Sequence, residues 1–457
     1  MRDRVACVLI AACLPLAALD AAEDASPAAT PTLPERAATS VYDPLRGLDA
    51  NGRIPRASMP ADVQNPERWR YIPEGRIAPG TLWERFLVTS FVAPIFYYEE
   101  DVGAGGGIAL TDIDFRGQRR REFLGVFASQ STEGQENYAL VWKRALHHRD
   151  LPGGGVISEE RSWVRATGGY ERTRTRRFFG LGADTSAEDE TSYTDEATFV
   201  TSLSQLAVPG PGEAWVLTAG ARAEHHNLAR GRVGDRPSTG DVHPDLVADG
   251  DSHDAGWVTL GLRHDTRDSQ HNPYRGTFLG VTVDVAPLQT DGEAGAVGEV
   301  RGGLALPVPS LFHDGGDAGE ENPPTDVIVI GAYAQDTVGD LPFWALPSLG
   351  GPNSLRGYLA NRFTDRAAWH AAVEWRTWLI PRGVAFTEAI RLERLGVALF
   401  YELGSVADDW RHLDSATIHD SYGLGFRLGF ERTAVFRVDL GFSDEDMAVT
   451  AAFGTSL

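Results

Sequence analysis

The sequence predicts an all-β fold, a transmembrane antiparallel β-barrel of about sixteen strands. The first observation is that apolar and polar residues alternate along most of the chain from about residue 86 onward. The second is that the clearest segments run for about 9–11 residues, the length that a tilted strand needs to cross a bilayer. The third is a glycine-rich loop at 350–358, which precedes strands that carry single carboxylates on their polar side.

The last three segments show the alternation most clearly. In 421–431, apolar side chains occupy every second position, and polar or glycine residues fill the positions between them. Segments 434–443 and 447–457 repeat this arrangement. Because successive side chains of a strand point to opposite faces, each segment has one apolar face and one face of charged or small residues. The apolar residues of the first segment are Tyr422, Leu424, Phe426, Leu428 and Phe430.

Similar segments recur along the chain and give the strand count. A soluble β-sandwich would show the same alternation, but the small and charged residues of the second face and the lack of a second-layer pattern favour a barrel. An even count is expected for a bacterial outer-membrane barrel, since both chain ends return to the periplasm. Closing the sheet also removes edges that lipid cannot satisfy. The segments lie near 93–98, 102–111, 121–130, 135–144, 162–172, 194–206, 213–224, 255–265, 276–286, 297–306, 326–335, 367–379, 395–403, 421–431, 434–443 and 447–457.

The connections between these segments differ in length. Long insertions fall at 183–193, 230–254, 310–325 and 338–366, whereas 431–433 and 443–446 are tight turns. Outer-membrane barrels have long extracellular loops and short periplasmic turns. We therefore expect the long insertions at the extracellular end and the tight turns at the periplasmic end.

The N-terminal part of the chain is expected to lie outside the barrel. Residues 1–22 combine a charged start, an apolar run from Val5 to Leu19 and small residues, which is the composition of a secretory signal peptide. A buried N-terminal helix and a lipoprotein signal ending at Cys13 are the alternatives. Residues 23–85 are rich in Pro and Ala and show no periodicity, so we expect a linker, extended or partly packed on the barrel end. The barrel then occupies residues 86–457.

Composition excludes several classes of protein. The two cysteines, Cys7 and Cys13, lie in the expected signal peptide, so the exported chain has no disulfides. The net charge of −22 argues against nucleic acid as a partner. After the signal, no apolar run is long enough for a transmembrane helix.

The sequence contains no catalytic constellation that we recognise, so we expect a protein that is not an enzyme and has no cofactor. It lacks His-Glu-x-x-His, a Walker loop and Gly-x-Ser-x-Gly. Paired histidines at 147–148 and 225–226 are candidate metal ligands, but solvated loop histidines explain them better. The acidic stretch 249–254 lacks the spacing of a calcium loop. Weak bridging of divalent cations at the lipopolysaccharide surface is the alternative to a solvated loop.

The loop 338–366 carries the candidate site. Arg356 lies beside Gly357 and Tyr358, and the strands that follow place Glu374 and Glu402 on their polar faces. A guanidinium can bind two carboxylates through bidentate hydrogen bonds, and an unpaired one in a confined lumen is costly. We therefore expect Glu374 and Glu402 to hold Arg356 and to lock the loop inside the barrel. An exposed loop arginine is the alternative.

These residues resemble the bacterial surface antigen barrels, the superfamily of BamA, TamA and the two-partner-secretion transporters. The stretch Ser354–Tyr358 is similar to the family signature (V/I/L)RG(F/Y), and the resemblance covers about residues 260–457. In the family, the signature Arg pairs with lumenal acids at the positions of Glu374 and Glu402. The other motifs that carry the resemblance are Asp265–Asp268 with Pro273 and Gly276, Val373–Arg376, Phe400–Val406, Gly423–Arg427 with Val438–Leu440, and the terminal Phe453–Leu457.

The chain departs from the family pattern in three places. Glu402 stands where the family usually has Asp. In the terminal recognition strand, represented here by Phe453, Gly454 and Leu457, the last residue is Leu457 and not an aromatic one. Residues 23–80 lack the helix-and-strand alternation of a POTRA domain, so the chain resembles a member that consists of the barrel alone.

The resemblance implies a role in inserting or translocating proteins or lipids at the outer membrane of a Gram-negative cell. In relatives, the seam between the first and last strands is weak, which places it here between 93–98 and 447–457. Implied partners are outer-membrane lipids, lipopolysaccharide and nascent outer-membrane or secreted proteins, and we expect a monomer. The alternatives are a passive pore or surface-structural barrel, and a surface-anchored lipid hydrolase or adhesin, for which the sequence offers no nucleophile.

Overall fold

The computed structural model describes residues 58–72, 77, 90–99, 103–290, 292–317, 319–320, 323–385, 391–392, 394–431 and 434–454. In these residues the main feature is one antiparallel sheet of sixteen strands, in which each strand pairs with its neighbours in the chain. The strands are β1 (Ser90–Glu99), β2 (Gly103–Asp112), β3 (Glu122–Ser131), β4 (Glu136–Ala145), β5 (Trp163–Phe178), β6 (Thr191–Val208), β7 (Trp215–Arg230), β8 (Ser252–Asp265), β9 (Gly276–Gln289), β10 (Gly295–Val308), β11 (Asp326–Gly339), β12 (Ala367–Ile380), β13 (Arg394–Ala407), β14 (His419–Glu431), β15 (Ala434–Phe442) and β16 (Met447–Phe453).

The predicted fold class is confirmed, and each of the sixteen predicted segments corresponds to one of these strands. In the described residues, no helix combines the length and hydropathy needed to cross a membrane. The remaining short elements are the helical turns Pro66–Arg68, Phe115–Gly117, Ala187–Asp189, Thr239–Val242, Phe343–Ala345 and Trp410–His412, and the strands Trp69–Ile72, His148–Asp150, Val156–Glu159, Ser348–Leu349, Phe363–Thr364, Val384–Ala385 and Arg391–Leu392.

The outer face of the sheet is apolar and exposed. On β9, Leu279 and Val281 are 62% and 50% exposed, and Gly280 and Thr282 occupy the alternate positions. Buried charged residues such as Glu374, on β12, lie on the opposite face. This distribution is the reverse of that in a soluble protein and is the pattern of a barrel whose outer surface contacts lipid.

The loop between β11 and β12, residues 340–366, is the lumenal loop of the barrel. Its residues Leu349, Leu355 and Phe363 form a buried cluster with side chains of β12 and β13. Phe343, near the start of the loop, is buried against residues of β5, β6 and β7, namely Phe178, Tyr193 and Leu228. Because one loop contacts strands that are far apart in the sheet, the sheet must curl around it.

Strand order corrects the expected placement of two connections. Antiparallel neighbours run in opposite directions, so connections after odd-numbered and even-numbered strands lie at opposite ends of the barrel. The long connection 309–325 follows β10 and lies at the end that holds the start of β1. The tight turn 443–446 follows β15 and lies at the same end as the lumenal loop. The length of a connection does not identify the end of the barrel at which it lies, because the short turn 443–446 lies at the same end as the long lumenal loop.

A segment of the expected linker packs on the end that holds the start of β1. Trp69–Ile72 pairs with Val156–Glu159 in a small sheet, and the Arg68 side chain donates a hydrogen bond of 2.6 Å to the backbone carbonyl of Gly212. Both partners belong to connections after even-numbered strands. The lack of periodicity in residues 23–85 gave no indication of this strand.

Candidate functional site

The backbone of the lumenal loop forms a compact turn that presents Arg356. Gly351 donates a hydrogen bond to the carbonyl of Tyr358 (3.1 Å), and Tyr358 donates to that of Leu355 (2.9 Å). Gly350 and Gly351 have φ values of 112° and 89°, which favour glycine. A Cβ at Gly350 would also lie 2.1 Å from the carbonyl oxygen of Leu359. The glycines therefore allow the loop to fold back on itself.

The Arg356 side chain is fully buried, and the two acids expected from the sequence lie against it. Its Nη1 donates to Glu374 Oε2 (2.8 Å) and its Nε to Glu402 Oε1 (3.0 Å). Its backbone N–H donates to the other oxygen of Glu402 at 2.7 Å. The guanidinium carbon also lies 3.5 Å from the centroid of the Phe400 ring. Arg356 is thus held by charge, by backbone hydrogen bonding and by an aromatic face.

Asp439 of β15 is a third acid at this guanidinium, 3.2 Å from Arg356 Nη1. It also accepts hydrogen bonds of 2.6 Å from Arg427 and from Arg437. Asp439 is not among the site residues predicted from the sequence. The available signal was its position on the polar face of a strand, two residues from Arg437, in the same arrangement that singled out Glu374 beside Arg376.

The cluster contains one more cation than anions. Its four arginines and three acids, with one charge each, leave a net charge of +1, and all seven side chains are nearly or fully buried. Glu374 is shared by three guanidinium groups, since Arg376 and Arg427 contact it at 2.6 and 2.9 Å. Removing any one acid would leave buried cations without a counter-charge. The arginines are Arg356, Arg376, Arg427 and Arg437, and the acids are Glu374, Glu402 and Asp439.

The loop tip lies directly against the backbone of β15. A Cβ at Gly357 would be 2.5 Å from the carbonyl oxygen of Phe442, and one at Gly441 would be 2.3 Å from that of Arg356. Real Cβ atoms do not approach backbone oxygens this closely. The two glycines therefore permit the contact through which Arg356 reaches three strands.

The model of the Omp85 superfamily domain matches residues 164–454, more than half of the chain. The chain belongs to the Omp85 superfamily. No curated protein matches it. The match region includes the whole Arg356 cluster, so the buried charges are part of the Omp85 domain itself.

Two solved structures are similar to this Omp85 barrel. The first is BamA from Haemophilus ducreyi lacking POTRA domains 1–3, at 13% identity and a TM-score of 0.49, covering 80% of this chain and 70% of that one. The second is CdiB from Acinetobacter baumannii, at 11% identity and a TM-score of 0.44, covering 81% of this chain and 66% of that one.

Tyr358 attaches the loop tip of the Omp85 barrel to the β15–β16 turn. Its hydroxyl donates to Asp444 Oδ1 at 2.5 Å, and Ser443 donates to the carbonyl of Gly357 at 3.0 Å. Burial raises the pKa of Tyr358, and the hydrogen bond to Asp444 raises it further. The phenol therefore stays protonated and continues to donate throughout the neutral pH range.

The expected recognition strand is only partly described. Phe453 is the last residue of β16 and pairs with Phe436 of β15. Gly454 follows with φ 87° and donates to the carbonyl of Val435 at 2.8 Å. Leu457 lies outside the described residues.

The histidine pair at 225–226 differs from the expectation of solvated loop residues. Both lie on β7, and His226 is only 9% exposed. Its Nδ1 is 2.9 Å from Asp195 Oδ1, and its ring centroid lies 5.8 Å from that of Trp344 in the lumenal loop, so His226 faces the lumen beside a carboxylate. In the described part of the chain, no group of three or more His, Cys, Asp and Glu residues is arranged to hold a metal ion.

Proposed function

We propose that this Omp85 barrel assists the insertion or translocation of proteins or lipids at the outer membrane of a Gram-negative cell. The observation that carries the proposal is the uneven height of the barrel wall. Strands near the chain ends whose two ends are both described are short: β3 and β4 have 10 residues each, and β16 has 7. The strands β5–β7 have 16–18 residues.

This difference in strand length changes the bilayer thickness that each side of the barrel matches. A strand rises about 3.3 Å per residue and is tilted by about 45°, so ten residues span roughly 23 Å and sixteen roughly 37 Å. The apolar band of such barrels is about 25 Å tall. Ten residues match this band, whereas the seven residues of β16 span only roughly 16 Å, so lipid beside β16 would thin to avoid mismatch.

Thinned lipid next to the chain ends would lower the barrier for a client to insert. The polar backbone of an incoming strand or the head group of a lipid would cross a thinner apolar layer there. The Arg356 cluster supports the same proposal because it holds the lumenal loop against β12, β13 and β15. The barrel would thus remain rigid while its short side interacts with the client.

The proposed partners follow from this arrangement. The apolar outer face fits outer-membrane lipids, with lipopolysaccharide at the extracellular end, and the short wall fits nascent outer-membrane or secreted proteins. We propose that a single copy acts without enzymatic chemistry. A photo-crosslinker at position 450, on β16, would capture a client that pairs near the last strand.

Client insertion into liposomes tests the proposal. We expect liposomes that contain the full-length mature protein to fold an added outer-membrane barrel faster than empty liposomes, measured by heat-modifiability of the client over time. Liposomes that contain an unrelated barrel of similar size are the control. Equal folding rates with this protein and with the control would contradict an insertion function.

A passive pore is the second candidate, and the polarity of the lumen favours it. Arg222 and Arg301 lie on the inner face, and their side chains are 41% and 46% exposed. Exposed guanidinium groups on an inner face indicate water in part of the lumen. Conductance of the same preparation in a planar bilayer separates the candidates, since a steady open pore without client insertion would support the passive pore.

A further inference from the structure

Arg362 is a second buried arginine of the lumenal loop, and it lies outside the Arg356 cluster. Arg362 is only 1% exposed. Nε donates to both oxygens of Glu445, at 2.8 and 3.0 Å, and Nη2 donates to Oε1 at 2.5 Å. On its other side it donates to Thr185 Oγ1 (2.9 Å) and to the Thr185 carbonyl (2.6 Å). Both sides of the guanidinium therefore have partners.

These partners belong to opposite parts of the barrel. Thr185 lies in the β5–β6 connection and Glu445 in the β15–β16 turn, and both connections follow odd-numbered strands. They therefore lie at the same end, at the mouth above the lumenal loop. The guanidinium also lies 4.8 Å from the ring of Phe179 and 4.5 Å from that of Phe363. One side chain thus connects two walls across the mouth.

Neighbouring contacts bring the β5–β6 connection over the same opening. Gly182 donates to the carbonyl of Thr364 in the lumenal loop at 3.0 Å. Thr417, in the β13–β14 connection, donates to Asp184 at 2.6 Å. His419 Nε2 lies 2.8 Å from the carbonyl of Ala183. The connection is therefore fixed to the lumenal loop and to the far wall at three further points.

Arg356 does not connect the two walls across the mouth. Its acidic partners lie on β12, β13 and β15, which are close together in the sheet order. It attaches the loop to one wall and leaves the opposite wall untouched. Arg362 has partners on both sides, and Glu445 is 28% exposed, so this bond lies next to solvent at the barrel mouth.

We propose that Arg362 is a latch that closes the extracellular mouth of the barrel to ions and small solutes. The guanidinium holds the β5–β6 connection and the β15–β16 turn together. Breaking its bonds to Glu445 removes the charge-assisted contact between the two walls and leaves only the weaker contacts of Thr417 and His419 to keep the mouth closed. The closure does not depend on the proposed role in insertion, because it requires no client. The lumen below is lined by exposed charges such as Arg222 and Arg301, so an opened mouth admits water and ions.

Single-channel conductance of the full-length mature protein in planar bilayers tests the latch, with no client present. We expect Arg362→Ala and Glu445→Ala each to raise the fraction of time spent in conducting states at least about tenfold, because charge-assisted hydrogen bonds that hold the closed state are lost. The matched control is Arg230→Ala. Arg230 is an exposed arginine at the same end that pairs with Asp241 and Asp249 of the connection that follows its own strand, so it should conduct like the wild type.

Heat-modifiability of each variant confirms that the barrel has folded before conductance is compared. If Arg362→Ala fails to fold, Glu445→Ala decides the question, because it removes a partly exposed turn residue. Folded Arg362→Ala and Glu445→Ala proteins with wild-type conductance would overturn the latch. An equal rise for Arg230→Ala would also overturn it, since any lost ion pair at that end would then open the mouth. Client insertion by a variant with an open mouth would show that the two proposals are separate.

Discussion

Glu374, on the polar face of β12, is contacted by three guanidinium groups, as is Asp439 of β15, and no side chain of the cluster has appreciable exposure. Glu402 contacts one arginine, Arg356, and accepts a further hydrogen bond from Ser421 at 3.0 Å. In a low-dielectric interior, the cost of removing an acid depends on how many charges it leaves unpaired. The two acids are therefore not equivalent, although the sequence alone treats them alike.

The number of arginines that each acid contacts predicts how much stability the loss of that acid costs, and the loss of Arg356 can be measured beside it. We expect Arg356→Ala to lower barrel stability by about 3–5 kcal/mol, because Glu402 is then buried without an arginine and the loop loses its attachment to β12, β13 and β15. Glu374→Gln should cost more than Glu402→Gln, since it removes the counter-charge of three arginines. Urea unfolding in detergent or lipid, followed by heat-modifiability, measures all three variants.

Glu299→Gln is the matched control for this series. Glu299 is a lumenal acid whose arginine partner, Arg301, is 46% exposed, so solvent screens the pair and its loss should cost about 1 kcal/mol or less. Wild-type stability of Arg356→Ala would count against a role for the cluster in holding the loop. Equal losses of stability in Glu374→Gln and Glu402→Gln would show that the number of arginines contacting an acid does not determine the cost of neutralising it.

The sequence predicted part of this site for a physical reason. Glu374 and Glu402 could be found because each is a lone carboxylate on the polar face of a strand that follows an arginine loop. Asp439 and Arg427 belong to similar faces, but only the curl of the sheet brings Asp439 to Arg356 and Arg427 to Glu374. Arg362 could not be found because its partners come from two connections whose positions do not follow from alternation.

At the scale of the element, the strands were the most predictable part. Lipid on one side and a polar interior on the other impose a period of two on every strand. The predicted ends were too short for β5–β7, because the alternation fades where a strand extends past the bilayer and loops cover both faces. Trp69–Ile72 was missed for a related reason, since a four-residue strand with buried ends shows no period.

The first turn of the lumenal loop is a second anchor that can be tested separately from Arg356. Phe343 is 4% exposed and packs on Phe178, at a centroid distance of 4.7 Å, and on Tyr193, at 5.1 Å. We expect Phe343→Ala to destabilise the barrel by about 3–5 kcal/mol, the usual cost of removing a buried aromatic ring. Urea unfolding measures this change.

Phe312→Ala is the control for that experiment, because Phe312 is 62% exposed in a connection at the other end of the barrel. Its removal should alter stability by about 0.5 kcal/mol or less. A loss of the same size in both variants would show that the effect is not specific to the anchor. No loss in Phe343→Ala would mean that the cluster on β5–β7 contributes little to holding the loop.

At the scale of the whole molecule, charge and hydrophobicity are segregated in a way that determines the solvent the protein needs. The chain carries a net charge of −22, yet its buried interior holds arginines and acids, and its strands expose leucine and valine. High net charge keeps an ordinary globular protein soluble. Here the charged groups lie in the connections and in the lumen, so they do not cover the apolar outer face.

This segregation predicts that the mature protein is monodisperse only when detergent or lipid covers the sheet. Residues such as Val200, Leu260 and Leu279 are 64%, 60% and 62% exposed, and contiguous apolar surface of this extent drives association in water. Size-exclusion chromatography with light scattering should give one monomeric species in detergent and aggregates after detergent removal. Exchange into lipid nanodiscs should restore a single species, which separates aggregation through the apolar face from unfolding. A stable monomer in plain buffer would contradict lipid contact, because no lipid would then be needed to cover the outer face of the barrel.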